Sequence, residues 1–246
     1  MRVLLLGGTA EARALAERLH PDLDVITSLA GRVPNPALPA GEVRVGGFGG
    51  AEPMRQWLVD SRVDAVVDAT HPFAAVMTER TARVCGELGL PHLVLCRPPW
   101  DSSAYISVGS AAEAAEVIEH QRYSRVFLTS GRSTIGAFAH SHAWFLIRVV
   151  IAPHADAMPT RHTLLHSRGP HGYEDELALM FEHRIHALVT KNSGGSYTRA
   201  KLDAAAALYL PVVMIDRPPL PSDVTKVETV DEAVGWIANV RRSQDG

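Results

Sequence analysis

Short apolar runs alternate along the chain with longer stretches whose apolar residues recur three and four apart. The runs predict strands at Val3–Leu6, Val25–Ser28, Val43–Val45, Ala65–Asp68 and Leu93–Cys96. A second series follows at Arg125–Thr129, Phe145–Ile151, Thr163–His166, Ala187–Thr190 and Val212–Ile215. Between them the helical period predicts Ala10–Leu19, with Ala12, Leu15, Ala16 and Leu19 on one face. Further helices are predicted near Glu52–Asp60, Ala74–Leu88, Ala111–His120, Glu174–His183, Thr198–Leu208 and Val230–Val240. Strands separated by helices in this way imply parallel α/β architecture.

The chain also repeats itself. GLPHLVLCRPPW at 89–100 matches YLPVVMIDRPPL at 209–220, each an apolar strand opened by proline and closed by Arg-Pro-Pro. Upstream of each, DAVVDATHPF and HALVTKNSGG pair a strand with a polar loop. Two similar α/β halves follow, divided near Arg97–Ala104, where Pro98 and Pro99 can continue neither ladder nor helix. The expected domains are residues 1–100 and 101–246. One continuous sheet with coincidental Pro-Pro turns is the alternative, and a terminal strand near Val224–Val227 falls outside the second repeat.

Composition narrows the function. The 246 residues carry a net charge of −3, with acidic residues in excess in the first half and basic ones in the second. A general nucleic-acid binder needs a basic surface, so that class is disfavoured, and anion binding is directed to the second half. No stretch approaches a membrane span or a signal peptide. The two cysteines, Cys85 and Cys96, sit in apolar patterns and read as buried thiols of a cytoplasmic protein. The histidines do not cluster with cysteine or carboxylates, and no metal site is expected.

The first strand ends in Gly7-Gly8-Thr9 and feeds a helix. Free amides and the helix dipole favour an anion there. Against the G-x-G-x-x-G pattern, Thr9 takes the second glycine's place and Ala12 the third's. The Thr9 hydroxyl is a candidate phosphate donor, although strand–Gly-Gly–helix turns also occur without a ligand. The second strand lacks the acid that would bind a ribose 2′-hydroxyl; it offers Ser28, with Arg32 beyond it. A hydroxyl and a guanidinium suit a 2′-phosphate, hence NADPH rather than NADH, unless Arg32 is simply a solvated loop charge.

Taken with VGGFGG at 45–50, DATHPFA at 68–74, VTKNSGG at 189–195 and the paired Arg-Pro-Pro turns, this loop gives the sequence a clear affinity. From Arg2 to about Pro219 it resembles the precorrin-6A reductase family of cobalamin (vitamin B12) biosynthesis. The resemblance implies two Rossmann-like parallel-sheet domains with the active site in the interdomain cleft, and NADPH mainly on the N-terminal domain. It implies reduction of one double bond of a polycarboxylate tetrapyrrole, precorrin-6A, to precorrin-6B. Transfer of tetrapyrrole to or from neighbouring pathway enzymes is a further implication. The cobalt-containing substrate of the anaerobic route is the alternative.

In that frame Gly7, Gly8, Thr9, Ala10 and Glu11 surround the cofactor's pyrophosphate, and Ser28 and Arg32 its 2′-phosphate. Gly46, Gly47, Phe48 and Gly49 approach the cofactor, with Phe48 flanking adenine or else lying in the core. Asp68, Thr70 and His71 fall at a strand's C-terminal end, near the nicotinamide ribose or the reacting carbon. Asp68 and His71 are the catalytic candidates. Histidine titrates near neutrality and so suits proton donation, or else His71 is a structural hydrogen-bonding group. In the second half Lys191, Asn192, Ser193, Gly194 and Gly195 form an anion loop leading into a helix, with Tyr197 and Thr198 as further lining residues. Thr129, Ser130, Gly131 and Arg132 form a similar loop that reaches the cofactor or a substrate carboxylate. Simple helix capping is the alternative for both loops.

Two other classes compete. A non-catalytic NADP(H)-sensing module has no need of a second anion loop. A short-chain-type carbonyl reductase brings Tyr-x-x-x-Lys, and Tyr197 and Lys201 have that spacing, but in the wrong half of the chain.

Overall fold

The computed structural model describes residues 1–31, 38–151 and 158–245. Two compact units emerge, one formed by Met1–Pro98 with Pro218–Gly246, the other by Pro99–Arg217.

The first unit contains β1 (Arg2–Leu6), β2 (Asp24–Leu29), β3 (Glu42–Val45), β4 (Ala65–Asp68) and β5 (His92–Leu95). A sixth strand, β12 (Thr225–Val227), comes from near the chain's end, and the order is β12-β5-β4-β1-β2-β3, with every pairing parallel. β1 is central, and a strand covered on both faces must be apolar where it is covered, as Val3–Leu6 are, with Arg2 only part-buried at its start. Val3 and Leu5 face α1 (Ala10–Leu19), which buries Ala12, Leu15, Ala16 and Leu19. Ala233 and Ile237 of α7 (Val230–Asp245) complete that layer. Leu4 and Leu6 point the other way, onto Met54 and Leu58 of α2 (Ala51–Asp60) and Val84 and Cys85 of α3 (Ala75–Leu88). Gly89, at φ 65°, ends α3 in the left-handed conformation that glycine adopts without strain.

The second unit contains β6 (Ile106–Val108), β7 (Arg125–Leu128), β8 (Trp144–Val149), β9 (His162–His166), β10 (Ala187–Lys191) and β11 (Val212–Ile215), with α4 (Ala111–His120), α5 (Tyr173–Glu182) and α6 (Ala200–Ala207). Its order is β6-β11-β10-β7-β8-β9, again all parallel. Five strands of each sheet therefore follow one plan, β3-β2-β1-β4-β5 and β9-β8-β7-β10-β11. Both cysteines are buried free thiols.

The sixth strands are exchanged. The strand after Arg97-Pro98-Pro99 is β6, which pairs with β11. The strand after Arg217-Pro218-Pro219 is β12, which pairs with β5 in the register Thr225↔Leu93 to Val227↔Leu95. The second unit consequently ends at Arg217, and residues 218–246, expected in it, belong to the first. The physical reason is the open edge of β5, together with an apolar gap beside α1 that Ala233 and Ile237 fill.

Candidate functional site

In the first sheet β1 and β4 are neighbours, yet the chain leaves them toward opposite sides of the sheet. Open α/β sheets bind ligands in the crevice this reversal leaves at the strands' C-terminal ends. Gly7 continues the β1 ladder by donating to the Ser28 carbonyl at 2.9 Å. A Cβ on Gly7 would stand 2.8 Å from Thr27 Cγ2, so packing against β2 alone demands glycine there. Gly8 differs: its φ is +116°, and among the described residues nothing lies within 4 Å of where a Cβ would stand. It is the position at which backbone is open to a ligand.

Thr9 is turned inward instead. Its Oγ1 accepts from the Ala12 amide at 3.1 Å, capping α1, and donates to the Ala69 carbonyl at 2.8 Å. The hydroxyl thus ties the β1 loop to the β4 loop and is not the phosphate donor the sequence suggested. Ala10 and Glu11 hold the first helical positions, whose amides have no intrahelical acceptor. The Glu11 carboxylate meets Arg97 Nη1 at 2.8 Å, both side chains largely buried. Arg97, read from sequence only as part of a linker, therefore offsets an acid beside the glycine loop.

Asp68 is buried beneath the β4 loop. Its Oδ1 accepts from the Thr70 amide at 3.0 Å and the Thr70 hydroxyl at 2.6 Å, and its Oδ2 from the Thr78 hydroxyl at 2.6 Å. All three bonds shape the loop and anchor α3, so Asp68 positions the loop rather than reaching a reacting atom. His71 is exposed at the loop's surface, and its Nδ1 accepts from the Phe73 amide at 3.3 Å. That bond requires an unprotonated Nδ1 and puts the neutral ring's proton on Nε2. An imidazolium would forfeit it, so the local geometry suits a hydrogen-bond donor better than the proton donor expected from sequence.

At the ends of β2 and β3, Ser28 pairs in register with Arg44. Arg44 Nη1 donates to Ser28 Oγ at 3.0 Å and to the Gly46 carbonyl at 2.7 Å, and Nη2 donates to the Gly47 carbonyl at 3.0 Å. Its guanidinium lies over the Phe48 ring, 3.8 Å from the centroid. Phe48 is itself in the core, edge-on to Trp57 at 5.5 Å, so Arg44 covers the face expected to flank adenine. Gly46, at φ +120°, and Gly8 have in common that no described residue lies within 4 Å of where their Cβ would stand; Gly49, at φ +83°, would bring a Cβ to 3.9 Å from Pro53. Arg32 lies outside the described residues.

The second sheet has the same reversal between β7 and β10. Thr129 donates to the Val189 carbonyl through both its amide, at 2.9 Å, and its hydroxyl, at 3.1 Å, joining the two strands rather than facing a ligand. Ser130 bonds Thr134 at 2.7 Å, and Gly131, at φ +84°, starts a 3₁₀ turn, Arg132–Phe138, rather than an α-helix. Arg132 is exposed at its start.

The loop after β10 is fastened from two sides. Asn192, 4% exposed, accepts from the Trp100 amide at 2.8 Å and donates to the Trp100 carbonyl at 3.0 Å, so its side chain is structural and not substrate-binding. Trp100 Nε1 donates to the Gly195 carbonyl at 2.7 Å. Arg217 donates to the Asn192 carbonyl at 2.8 Å and the Ser193 carbonyl at 3.0 Å. Gly194 and Gly195, at φ +68° and +72°, make the turn. The loop does not run straight into a helix: residues 196–199 intervene before α6, whose cap is Arg199.

Thr198 lends its carbonyl to Lys201 Nζ at 2.7 Å, and Lys201 lies 5.0 Å from the Trp100 ring centroid. Tyr197 donates to the Gly169 carbonyl at 3.1 Å, so the Tyr-x-x-x-Lys pair is engaged with separate backbone carbonyls. Half-buried Lys191 has its pKa lowered by desolvation. Trp100, Lys201 and Arg217 were not foreseen as site residues; the Arg-Pro-Pro echo was the signal for the last.

Parallel six-stranded sheets, one with an open glycine loop at its strand reversal and the other with Arg132, Lys191, Lys201 and Arg217 around its equivalent loops, define a two-domain Rossmann-like α/β protein. The model of the precorrin-6x reductase CbiJ/CobK family matches residues 2–238, and the chain belongs to that family. The precorrin-6A reductase of Mycobacterium tuberculosis (strain CDC 1551 / Oshkosh) is 65% identical over 97% of this chain and 98% of its own. The precorrin-6A reductase of Rhodococcus erythropolis is 49% identical over 98% of this chain and 99% of its own. A solved structure of CobK precorrin-6A reductase superposes with a TM-score of 0.90 at 33% identity, covering 98% of this chain and 97% of that one. The chain is accordingly an oxidoreductase, and its family's reaction implies a nicotinamide cofactor. Among the described residues, no helix is long and apolar enough to cross a membrane.

Proposed function

We propose that this enzyme reduces one double bond of the precorrin-6A macrocycle to give precorrin-6B, using NADPH, in the cytoplasm and as a step of cobalamin biosynthesis. A bound reduced nicotinamide supplies a hydride to one carbon of the double bond, and a proton joins the neighbouring carbon. The first unit holds the nucleotide. The open backbone at Gly8, held in place by the closely packed Gly7, and the amides of Thr9, Ala10 and Glu11 receive the pyrophosphate. Backbone at Gly46, Gly47 and Gly49 borders the adenosine half. Thr70, oriented by Asp68, and His71, donating through Nε2, bind beside the reacting centre, and water delivers the proton. Ser28 lies at the ribose end.

The second unit holds the substrate's carboxylates. Arg132 and Lys191 supply charge, and Ser193, Gly194, Gly195 and Thr198 belong to the loop that follows β10. A half-buried lysine whose charge is poorly solvated gains from an incoming carboxylate. The metal-free substrate is favoured over its cobalt counterpart by the names of the two relatives above. Buried free thiols accord with a reducing compartment.

The observation that carries the reading is Gly8, a left-handed glycine facing open space at a strand reversal, in a chain of this family. Anaerobic mixing of the protein with NADPH and precorrin-6A tests it. The expected result is a change in macrocycle absorbance matched mole for mole by NADPH oxidation; an unchanged spectrum overturns the reading.

A further inference from the structure

We propose that Arg44 is the residue that distinguishes the phosphorylated nicotinamide nucleotide from the unphosphorylated one, receiving the ribose 2′-phosphate on its Nε–Nη2 edge. The inference rests on the nucleotide site proposed above and adds the group that sets its specificity.

Position is the first argument. In a sheet of this order the adenosine ribose lies at the end of the second strand. Arg44 stands there, in register with Ser28 and bonded to its hydroxyl at 3.0 Å. Among the described residues nothing lies within 4 Å of where a Cβ on the neighbouring Gly46 would stand.

Donor geometry is the second. A guanidinium has five N–H groups in a rigid plane. Three are spent, two from Nη1 on Ser28 and Gly46 and one from Nη2 on Gly47. The two that remain, on Nε and Nη2, share one edge, the fork that binds phosphate oxygens in bidentate fashion. The Phe48 ring fixes the plane from one side at 3.8 Å. The group is therefore set in place before any ligand arrives, and little rotamer entropy remains to be lost.

Charge is the third. Arg2, Arg55, Arg97 and Arg148 each have a carboxylate partner, Asp24, Glu52, Glu11 and Glu176 respectively. Among the described residues Arg44 has none, and its part-burial penalises the charged form without an offsetting acid. A phosphate dianion would supply that offset. A bare ribose hydroxyl would not, and the site has no acid at Ser28 to accept from one.

The test uses the full-length protein with adenosine 2′,5′-bisphosphate and 5′-AMP as probes, titrated by calorimetry. The wild type is expected to prefer the bisphosphate. In Arg44→Gln the bisphosphate affinity should fall about 10- to 100-fold, the effect of charge-assisted hydrogen bonds, while 5′-AMP binding changes less than about 3-fold. Arg44→Lys keeps the charge without the fork and should fall between, which covers the case of a misfolded Gln variant. Loss of both probes in parallel by Arg44→Lys, with melting temperature unchanged, would assign Arg44 to loop structure and overturn the inference. So would a variant that keeps the preference intact; the 2′-phosphate reading would then survive with its recognition elsewhere. A wild type that does not discriminate overturns the NADPH reading itself and this inference with it.

Discussion

Asn192 closes on the backbone of Trp100 from both sides, its amide oxygen on the tryptophan N–H and its amide nitrogen on the tryptophan carbonyl. The pair joins the start of the second unit to the loop that follows β10. Asn192→Ala would leave two buried backbone groups without partners, at about 1–3 kcal/mol each. Urea denaturation should register a loss of about 2–6 kcal/mol in total. Stability equal to wild type, with only the Michaelis constant for the macrocycle raised, would return Asn192 to the substrate's side.

Adjacent glycines should fail in different ways. Gly7→Ala drives a Cβ against Thr27 Cγ2, and overpacking of this kind costs about 1–3 kcal/mol of stability. Removing the methyl group in Gly7→Ala/Thr27→Ser should recover part of it. Gly8→Ala meets no clash, but it places a Cβ at a left-handed position in the space assigned to the pyrophosphate. Nucleotide affinity should drop at least about tenfold, one order in the binding constant, alongside a loss of about 1–3 kcal/mol of stability, the cost of a strained backbone conformation. Fluorescence titration with NADPH, beside melting curves, separates the two.

His71→Ala should lower turnover by less than about tenfold and leave the shape of the pH–rate profile intact, as befits a lost hydrogen bond. An obligatory proton donor would instead lose about 10²- to 10⁴-fold together with the corresponding limb of the profile. The comparison is best made on single-turnover rates, which isolate reduction from product release.

Lys191 gives a pH-dependent stability term whose sign follows from burial. Its folded pKa lies below the ordinary lysine value because desolvation penalises the charged form. Between the two values the unfolded chain binds more protons, so this term strengthens the folded state as pH rises through that window. Lys191→Met should abolish this dependence, so that wild type gains stability relative to the variant as pH rises through the window, while the macrocycle binds more weakly. Denaturation midpoints across that range decide it; a wild type that loses ground to the variant as pH rises would contradict the burial argument.

Periodicity alone located most elements: α1 at Ala10–Leu19 and β4 at Ala65–Asp68 match the observed bounds. Partner choice was less visible. β6 is only three residues long, too short for a pattern, and nothing local tells β12 which sheet has an open edge. In the site, the loops singled out from sequence do lie at strand ends, but several of their polar side chains point inward. Thr9, Asp68, Thr129 and Asn192 are short groups at strand ends, where unpaired loop backbone is the nearest partner. Arg44 escaped notice because an arginine between valines reads as the solvent face of an edge strand, and only the register with Ser28 reveals its surroundings.

The exchanged strands also set the order in which the molecule can be finished during translation. All six strands of the second sheet lie between Ile106 and Ile215, whereas the first waits for Thr225–Val227. The half that emerges first from the ribosome is thus the last to be completed, carrying an unsealed edge at β5 until Thr225–Val227 follows the whole second sheet. A truncation anywhere upstream of Thr225 would leave that edge permanently unsealed, even though every glycine of the nucleotide loop had already been synthesised.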